Sequence, residues 1–365
     1  MSNLTAPNYT GQPADRRALG FLSTTALRSI GNARFLWAVP VVVIVIAAVV
    51  LPAFRSPISV NSLLATLAPI VIIAIGQAIV VMYGGIDLSV GAVAGLGTVV
   101  LALGPVIPGG AAGALVFSVI AGLVVGILNG LGVLAGINPL LMTFAMAGVV
   151  QGTALLLQGI PESAAPMDLI DVVGTSIGPV PLLAILAVVL LVAAWFWLSQ
   201  SRTGRVVQAA GFDARIAGRL GFPIRRTTIM VYGLSGALSA LGGLAIVART
   251  YTADALVGAS SVIDSIATVL VAGIVITGGV GSLLSILPAA VIIAVVGQII
   301  TLTGTDAYYQ TIFKGVLLVA AMGIYQLAGR RMRMPWRLSR PAIDRPALAE
   351  TPALVETPAA KDGDR

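Results

Sequence analysis

The chain has 365 residues, of which 58% are hydrophobic and only 10% are charged. Soluble domains carry about 25% charged residues, so this composition indicates a protein built for a lipid bilayer. The sequence contains no Cys and no His, which excludes zinc sites of the usual kind, disulfides, thiol nucleophiles and imidazole bases. It also lacks the Gly-Lys-Ser/Thr of a phosphate-binding loop, so nucleotide hydrolysis is not expected on this chain.

Apolar segments that can cross a bilayer follow one another along the chain, each needing about 20 residues. In chain order they are 35–54, 63–83, 88–104, 111–134, 140–158, 179–198, 228–249, 264–277, 283–303 and 308–328. Two of them, 88–104 and 264–277, are short enough to be broken or tilted helices. The pattern predicts an all-α integral membrane protein with about ten transmembrane helices. These form one domain over 35–328, between polar tails at 1–34 and 329–365.

The positive charges are clustered, and their positions predict a topology. The net charge is +7, and eighteen of the 21 Lys and Arg residues lie in 1–34, 199–227 and 329–365. Ten spans place these three segments on one side, which matches the excess of positive charge in cytoplasmic loops. We therefore expect both termini and the 199–227 loop to be cytoplasmic and 159–178 to face outward. The same clustering beside long apolar spans argues against nucleic-acid binding.

A short polar link joins the second and third predicted spans. Its sequence, Gly84-Gly85-Ile86-Asp87-Leu88-Ser89, has two interpretations. In one, the glycines form a tight turn and Asp87 or Ser89 caps the next helix. In the other, a helix break inside the membrane places Asp87 near a transport pathway. A second pair, Gly278-Gly279, follows the eighth predicted span, and such repetition is typical of transporters built from two duplicated halves.

Other polar residues in or beside the spans also have two interpretations. Asn129 and Asn138 either hydrogen-bond a neighbouring helix or face the pathway. Lys314 lies inside the last predicted span, where it either snorkels to the membrane interface or has a pathway role. Arg249 and Asp264 flank the outer loop between the seventh and eighth predicted spans. There they either pair with each other or help to form a surface that receives a binding protein.

The Arg-rich loop 199–227 contains a short predicted helix that begins near Asp213 and ends around Gly221. Arg215 and Arg219, four residues apart, lie on one face of this helix. The predicted small apolar face consists of Ala209, Ile216 and Leu220. The loop is either a basic anchor at lipid headgroups or a docking helix that inserts into a cytoplasmic partner.

Several motifs occur in an order that is typical of one transporter family. They are Gly84–Ser89, Gly126–Gly130, Ile137–Pro139, the loop from Gly211 to Gly221, Val231-Tyr232 followed by Ser235-Gly236, Asp264 with Ala267, Gly278–Gly281, and Tyr308-Tyr309-Gln310 with Lys314. Over residues 36–328 the chain resembles the permease subunits of ribose-type ABC importers, in the superfamily of branched-chain amino acid and sugar permeases. The Gly-Gly-Ile-Asp-Leu-Ser form is closer to the sugar branch of that superfamily.

The resemblance implies a function and several partners. The chain would be the membrane-spanning subunit of an importer for a sugar or related small polar solute in a bacterial plasma membrane. It would form a homodimer with the pathway at the dimer interface, surrounded by membrane lipid. A separate cytoplasmic ATP-binding subunit docked on 205–223 would drive alternating access, and an extracytoplasmic solute-binding protein would land on the outer loops. No cofactor, metal or enzymatic reaction is expected on this chain.

Two groups of candidate residues follow from the motifs and the polar positions. The substrate-pathway group is Asp87, Ser89, Asn129, Asn138, Asp264 and Lys314. The ATPase-coupling group is Gly211, Asp213, Arg215, Ala217, Gly218, Arg219 and Gly221. The coupling loop departs from the family pattern because Asp213 replaces the usual Asn, and Val262 stands where an acidic residue often precedes Asp264.

Two alternatives stay open at this point. One is an ion-coupled secondary transporter of a small solute, which needs an acidic coupling site inside the membrane. The other is an ABC permease for a nucleoside or a branched-chain amino acid.

Overall fold

A computed structural model of the chain describes residues 37–158, 163–164, 168, 171 and 174–331. The predicted tail 1–34 and most of the predicted tail 329–365 lie outside the described residues. The chain divides into two units, Met1–Met322 and Gly323–Arg365. The described part of the second unit is helical as far as Arg331. All the sites discussed below belong to the first unit.

The described residues form eleven α-helices, numbered here in chain order. They are α1 (Trp37–Val50), α2 (Pro57–Tyr83), α3 (Val90–Ala102), α4 (Gly110–Leu134), α5 (Pro139–Gln158), α6 (Leu182–Gln200), α7 (Arg202–Arg219), α8 (Ile224–Thr250), α9 (Ala259–Val271), α10 (Ile286–Leu302) and α11 (Ala307–Arg331). Short 3₁₀ turns cover Pro52–Arg55, Gly104–Val106 and Leu283–Ser285.

Four two-residue strands form two antiparallel pairs in the described loops. They are β1 (Ser163–Ala164), β2 (Ser176–Ile177), β3 (Val180–Pro181) and β4 (Thr252–Ala253). β1 pairs with β4, with Ser163 opposite Ala253. β2 pairs with β3, with Ser176 opposite Pro181. The first pair joins the loop after α5 to the loop after α8.

Helices α2 and α8 form the centre of the bundle. They pack against each other, and α8 also packs against α3 and α4. α2 begins at Pro57, where the Ser56 hydroxyl accepts the N–H of Ser59 at 3.2 Å. It ends at Tyr83 because Gly84 turns the chain with a φ of 95°. Its apolar side chains are buried on all sides over most of its length, as expected for the central helix of a membrane bundle.

Helices α4, α5 and α6 expose apolar side chains on the outside of the bundle. Examples are Phe117 and Val124 on α4, Phe144 and Leu156 on α5, and Val189 and Phe196 on α6. Water-soluble proteins rarely expose so much contiguous apolar surface, so these faces are suited to lipid. Six helical segments among the described residues are long and apolar enough to cross a membrane, and α1, α3 and α9 are shorter apolar helices. The all-α membrane fold is confirmed, and the count of ten spans stays a prediction.

Helix α4 packs on α8 with direct contact between the two backbones. Gly122 faces Gly236 so closely that a Cβ atom on Gly236 would overlap the carbonyl oxygen of Gly122. One turn further along, a Cβ atom on Gly126 would overlap the carbonyl oxygen of Tyr232. Small residues allow membrane helices to approach this closely, and van der Waals packing then holds them together.

One predicted span is misplaced. The segment 264–277 was expected to be the eighth span, but α9 covers Ala259–Val271. Asp264 therefore lies within the helix and is buried, rather than at the border of the outer loop. Gly258 precedes the first turn of α9 and packs directly against α3, and Gly273 ends the helix with a φ of 74°. Hydropathy missed the first turn of α9 because that turn is rich in serine.

The Arg-rich segment 199–227 is more helical than expected. α7 covers Arg202–Arg219, and the predicted helix after Asp213 is only its second half. The Ser201 hydroxyl starts α7 by accepting the N–H of Gly204 at 2.9 Å. α7 is amphipathic and is not among the helices apolar enough to cross a membrane.

Candidate functional site

A polar cavity lies between α2, α8, α9, α10 and α11, with a volume of about 340 Å³. Its polar lining comes from hydroxyls, amides and three charged groups: Ser62, Thr66, Arg249, Ser260, Ser261, Asp264, Ser265, Gln298, Thr301, Gln310 and Lys314. We call it the main cavity. Its described lining residues include no aromatic ring, and its apolar part consists of aliphatic residues such as Ile70 and Ile293. This chemistry is suited to a small solute rich in hydroxyl groups.

Two predicted pathway residues meet in the main cavity. The Lys314 ammonium of α11 lies 2.7 Å from one carboxylate oxygen of Asp264 and 3.0 Å from the other. Both side chains are mostly buried, at 16% and 12% exposure. Lys314 therefore pairs with an acid across the cavity instead of snorkelling to the membrane interface. A paired charge in this setting avoids the cost of an isolated ion in a low-dielectric interior.

Arg249 stands between the main cavity and a second one. The second cavity has a volume of about 520 Å³, lies beside the β2–β3 turn, and shares Ser62 and Arg249 with the first. The Arg249 guanidinium donates to the Thr66 hydroxyl at 2.8 Å. Of the two interpretations of Arg249 and Asp264, the structure shows no salt bridge between them, and Asp264 pairs with Lys314 instead. Among the described residues, no carboxylate lies within salt-bridge distance of Arg249.

Asp87 lies at the centre of a separate polar cluster. Its carboxylate accepts the N–H and the hydroxyl of Ser89 at 2.9 and 2.6 Å, and the hydroxyl of Ser235 at 2.8 Å. The Asn129 amide donates to the Ser89 hydroxyl at 2.9 Å. All four side chains are buried. We call Asp87, Ser89, Asn129 and Ser235 the Asp87 cluster.

The Asp87 cluster fixes the link between α2 and α3. The Thr143 hydroxyl of α5 holds the same link by accepting the Leu88 N–H at 3.0 Å and donating to the Ile86 carbonyl at 3.1 Å. Asp87 has no Lys or Arg partner within the described part of the chain. Its charge is stabilised by three hydrogen bonds and by the N-terminus of α3, where a negative charge is favoured. The contacts of Asp87 therefore match the interpretation of the Gly84–Ser89 link as a tight turn.

The predicted pathway residues thus fall into three places. Asp264 and Lys314 line the main cavity, whereas Asp87, Ser89 and Asn129 are not among its lining residues. Asn138 lies between α4 and α5, where its side chain accepts the N–H of Leu140 at 2.9 Å. A transport role for the members outside the cavity stays a prediction.

α7 carries a break at Asp213, whose backbone has a φ of −162°. The Asp213 carboxylate accepts the N–H of Arg215 at 2.8 Å and that of Ile216 at 3.0 Å, which caps the second half of the helix. The N–H of Ile216 first, and then the N–H and charge of Arg215, hold the pKa of Asp213 below its usual range. The predicted start of a helix at this residue is confirmed.

The second half of α7 exposes apolar and basic side chains together. Ile216 and Leu220 are exposed at 56% and 73%, and Phe212, which directly precedes the break, is exposed at 71%. Arg215, Gly218, Arg219 and Gly221 of the coupling group are exposed as well, whereas Gly211 and Ala217 are buried. Ala209 is half-buried and precedes the break, so it does not continue the face of Ile216 and Leu220. We call Ile216 and Leu220, with Arg215 and Arg219, the α7 face.

Several residues of these sites were not predicted from the sequence. Ser261 and Ser265 line the main cavity and recur at helical spacing with the predicted Asp264 and with Thr268 in α9, so this polar stripe could have identified the cavity side of the helix. Ser62 and Thr66, four residues apart in α2, are a weaker signal of the same kind. The contact of Ser235 with Asp87 joins residues 148 positions apart, and no local pattern indicates it.

Comparison with known proteins agrees with this architecture. The sequence family described as branched-chain amino acid transport system / permease component matches residues 59–322. The chain belongs to this family. The matched residues include the main cavity, the Asp87 cluster and α7. The predicted resemblance to transporter permeases is confirmed, and the permease is a component of a membrane transport system.

Named relatives of the permease are similar over most of their length. The ribose import permease protein RbsC of Bacillus subtilis is 31% identical over 299 residues, which cover 77% of this chain and 88% of that protein. The autoinducer 2 import system permease protein LsrD of Escherichia coli K12 is 27% identical over 281 residues, covering 74% of this chain and 84% of that protein. A probable ABC transporter permease protein, y4mJ, of Sinorhizobium fredii is 31% identical over 268 residues, with 72% and 80% covered. No solved structure matches the chain.

Proposed function

We propose that this permease is the membrane-spanning subunit of an ABC importer for a sugar or a related small polar solute. The observation that carries the proposal is the α7 face, where apolar and basic side chains are exposed together on a helix that is not a candidate span. An amphipathic helix of this kind suits insertion into a groove of a partner protein. The partner is a cytoplasmic ATP-binding subunit, as the permease family implies, and no phosphate-binding loop is present on this chain. The solute class is supported by two relatives, the ribose import permease RbsC and the autoinducer 2 import system permease LsrD.

The main cavity is the proposed solute site of each subunit. Its hydroxyls and amides offer the donors and acceptors that a polyhydroxylated solute requires. Asp264 and Lys314 supply one acidic and one basic group to this site, and they connect α9 to α11. Alternating access then consists of helix movements that open the cavity to one side at a time. The proposal assigns no covalent step to the permease itself.

The remaining parts of the proposal concern assembly and orientation. The permease forms a homodimer in a bacterial plasma membrane, with the pathway at the dimer interface and a solute-binding protein on the outer side. Both termini and α7 are cytoplasmic, because eighteen of the 21 basic residues lie in the corresponding three segments. The loop between α5 and α6 faces outward.

An ion-coupled secondary transporter is the second candidate, and one observation favours it. Asp87 and Asp264 are both buried within the bundle, although the sequence placed them near the ends of spans. Intramembrane acids are the usual sites of ion coupling. In this chain, however, Asp264 is neutralised by Lys314 and Asp87 accepts three hydrogen bonds. An ABC importer therefore explains the contacts of Asp87 and Asp264 better than a secondary transporter does.

The test is reconstitution of the permease with its ATP-binding subunit in proteoliposomes. D-ribose is the first probe, followed by other pentoses and hexoses presented on the solute-binding protein. We expect the ATP-binding subunit to co-purify with the permease and uptake to require ATP. Uptake by the permease alone, driven by a proton or sodium gradient, would contradict the proposal and support the secondary transporter.

A further inference from the structure

We propose that Gly211 and Phe212 are positioning residues that transmit movement of α7 to the two glycine turns after α2 and α9. This inference rests on the proposed function, because it assumes that an ATP-binding subunit moves α7. The contact involves Gly84 after α2 and Gly278-Gly279 after α9. We call this meeting of three chain segments the glycine junction.

Backbone contact joins all three segments of the glycine junction. Gly211 is buried, and a Cβ atom there would overlap the carbonyl oxygen of Met82 and the backbone nitrogen of Gly279. The Gly279 N–H itself donates to the Met82 carbonyl at 2.9 Å. A Cβ atom on Gly278 would lie 2.6 Å from the Gly211 carbonyl oxygen and 3.0 Å from the Gly84 Cα. No side chain separates these segments, so displacement of one presses directly on the other two.

Phe212 adds a side-chain contact at the same point. Its ring lies against Gly279, where a Cβ atom would come within 2.8 to 2.9 Å of three ring carbons. The rest of the ring is open, since Phe212 is 71% exposed. Phe212 directly precedes the break at Asp213. The second half of α7, which carries the α7 face, is therefore attached to the bundle at the glycine junction.

The two glycine turns lead to the sites described above. The turn at Gly84 continues into the link that holds Asp87, whose carboxylate contacts Ser235 of α8. The turn at Gly278-Gly279 follows α9, which contributes Asp264 to the main cavity. Positive φ angles of 95°, 90° and 79° at Gly84, Gly278 and Gly279 keep both turns tight. A shift of α7 thus reaches both the Asp87 cluster and the cavity wall.

Two simpler explanations make different predictions. If the glycines serve only close packing, their replacement lowers stability and assembly, and ATP hydrolysis falls together with the response of the cavity to nucleotide. If Phe212 only contacts the ATP-binding subunit, its truncation weakens association of that subunit. A transmitting role leaves assembly and ATP hydrolysis intact and removes the response of the cavity to nucleotide.

The experiment follows cavity access in the complete transporter, reconstituted with its ATP-binding subunit and solute-binding protein. The chain has no native Cys, so Ser260→Cys places a single thiol in the lining of the main cavity. A charged maleimide is the probe, and its labelling rate is measured with and without ATP plus vanadate. We expect nucleotide to change the rate about 5-fold or more in the parent, the lower end of typical coupling between sites.

Phe212→Ala is the decisive variant because an exposed side chain can be truncated without unfolding the bundle. We expect normal co-purification of the ATP-binding subunit, retained ATP hydrolysis, and loss of most of the nucleotide-dependent change in labelling. Phe212→Leu should keep most of that change, since it preserves apolar contact with Gly279. Gly211→Ala should show the same uncoupling or fail to assemble. If Gly211→Ala fails to assemble, the result with Phe212→Ala alone decides whether the transmitting role holds.

Matched controls come from α5 and α6. Gly152→Ala adds the same methyl group at a position with nothing within 4 Å of the new atom, and Phe196→Ala truncates another exposed phenylalanine. Both controls should respond to nucleotide like the parent. A parent-like response in Phe212→Ala, or loss of co-purification in proportion to the lost response, overturns the transmitting role. Failure of the parent itself to bind the ATP-binding subunit or respond overturns the proposed function, and is recognised because every variant then fails alike.

Discussion

The ammonium group of Lys314 lies 2.7 Å and 3.0 Å from the two carboxylate oxygens of Asp264. The two residues are 50 positions apart in the sequence, and their ion pair joins α11 to α9. This ion pair lies in the wall of the main cavity, where Gln310 and Ser261 are also present. The pair neutralises two charges inside an apolar bundle and leaves their hydrogen-bonding capacity close to a passing solute. It is therefore the first place to separate stability from transport.

Lys314→Met leaves the Asp264 carboxylate without a cation. We expect the free energy of unfolding to fall by about 2 kcal/mol, less than the 3–5 kcal/mol of a fully buried pair because this pair faces a cavity. The double variant Asp264→Asn with Lys314→Gln removes both charges and should recover most of the stability. Thermal unfolding in detergent measures these differences, and uptake is measured on the same preparations. Wild-type uptake by the stable double variant would show that the charges serve folding alone.

The Asp87 cluster leads to a second prediction. Asp87→Ala leaves the Ser89 N–H, the Ser89 hydroxyl and the Ser235 hydroxyl without their acceptor, at a cost of about 1–3 kcal/mol for each group that stays unpaired. Asp87→Asn keeps one acceptor oxygen, and the Ser235 hydroxyl can rotate to accept from the new amide. We expect poor yield of folded Asp87→Ala and near-normal yield of Asp87→Asn in size-exclusion profiles. Equal yields of the two variants would contradict the hydrogen bonding described here.

Uptake by Asp87→Asn tests the pathway role that the sequence suggested for Asp87. The variant preserves the shape of the side chain and removes only its charge. Reduced uptake at normal yield would support a role in transport. Unchanged uptake at normal yield would leave the link between α2 and α3 as the only function of the carboxylate.

Most helices could be predicted from the sequence because lipid-facing helices are continuous apolar runs. The start of α9 could not, since its first turns carry Ser260, Ser261 and Asp264 toward a cavity and thereby lose the apolar signal. The cap at Asp213 was predictable because capping is local. The first half of α7 was not predictable, because it carries no strong apolar run. The Asp264–Lys314 pair and the Ser235–Asp87 contact depend on the packing of distant helices. Composition and periodicity along one helix do not encode such pairings.

The proposed topology has a direct test. Ser176 lies in the short β2 strand before α6, Ala214 lies in the second half of α7, and both are exposed. Because the chain lacks native Cys, Ser176→Cys and Ala214→Cys each introduce one reactive thiol. An impermeant maleimide should label Ser176→Cys in intact cells and should label Ala214→Cys only after the membrane is opened. The opposite pattern would invert the orientation and place α7 on the outer side.

The α7 face leads to the last prediction, which separates a docking helix from a lipid anchor. Ile216 and Leu220 lie one helical turn apart and are exposed at 56% and 73%, so replacing both with Ser removes little contact within the bundle. If these side chains insert into the ATP-binding subunit, each loses about 1.5 kcal/mol or more of apolar burial, and the double variant binds about 100-fold more weakly. Arg215→Lys with Arg219→Lys keeps the charge and should have a smaller effect. A lipid anchor depends on charge, at about 1 kcal/mol per basic residue near the membrane surface, and therefore tolerates lysine fully. Co-purification of the ATP-binding subunit with each variant, at equal permease yield, is the measurement. Parent-level co-purification and uptake with Ile216→Ser and Leu220→Ser would exclude docking at this face and leave α7 as a membrane-surface helix.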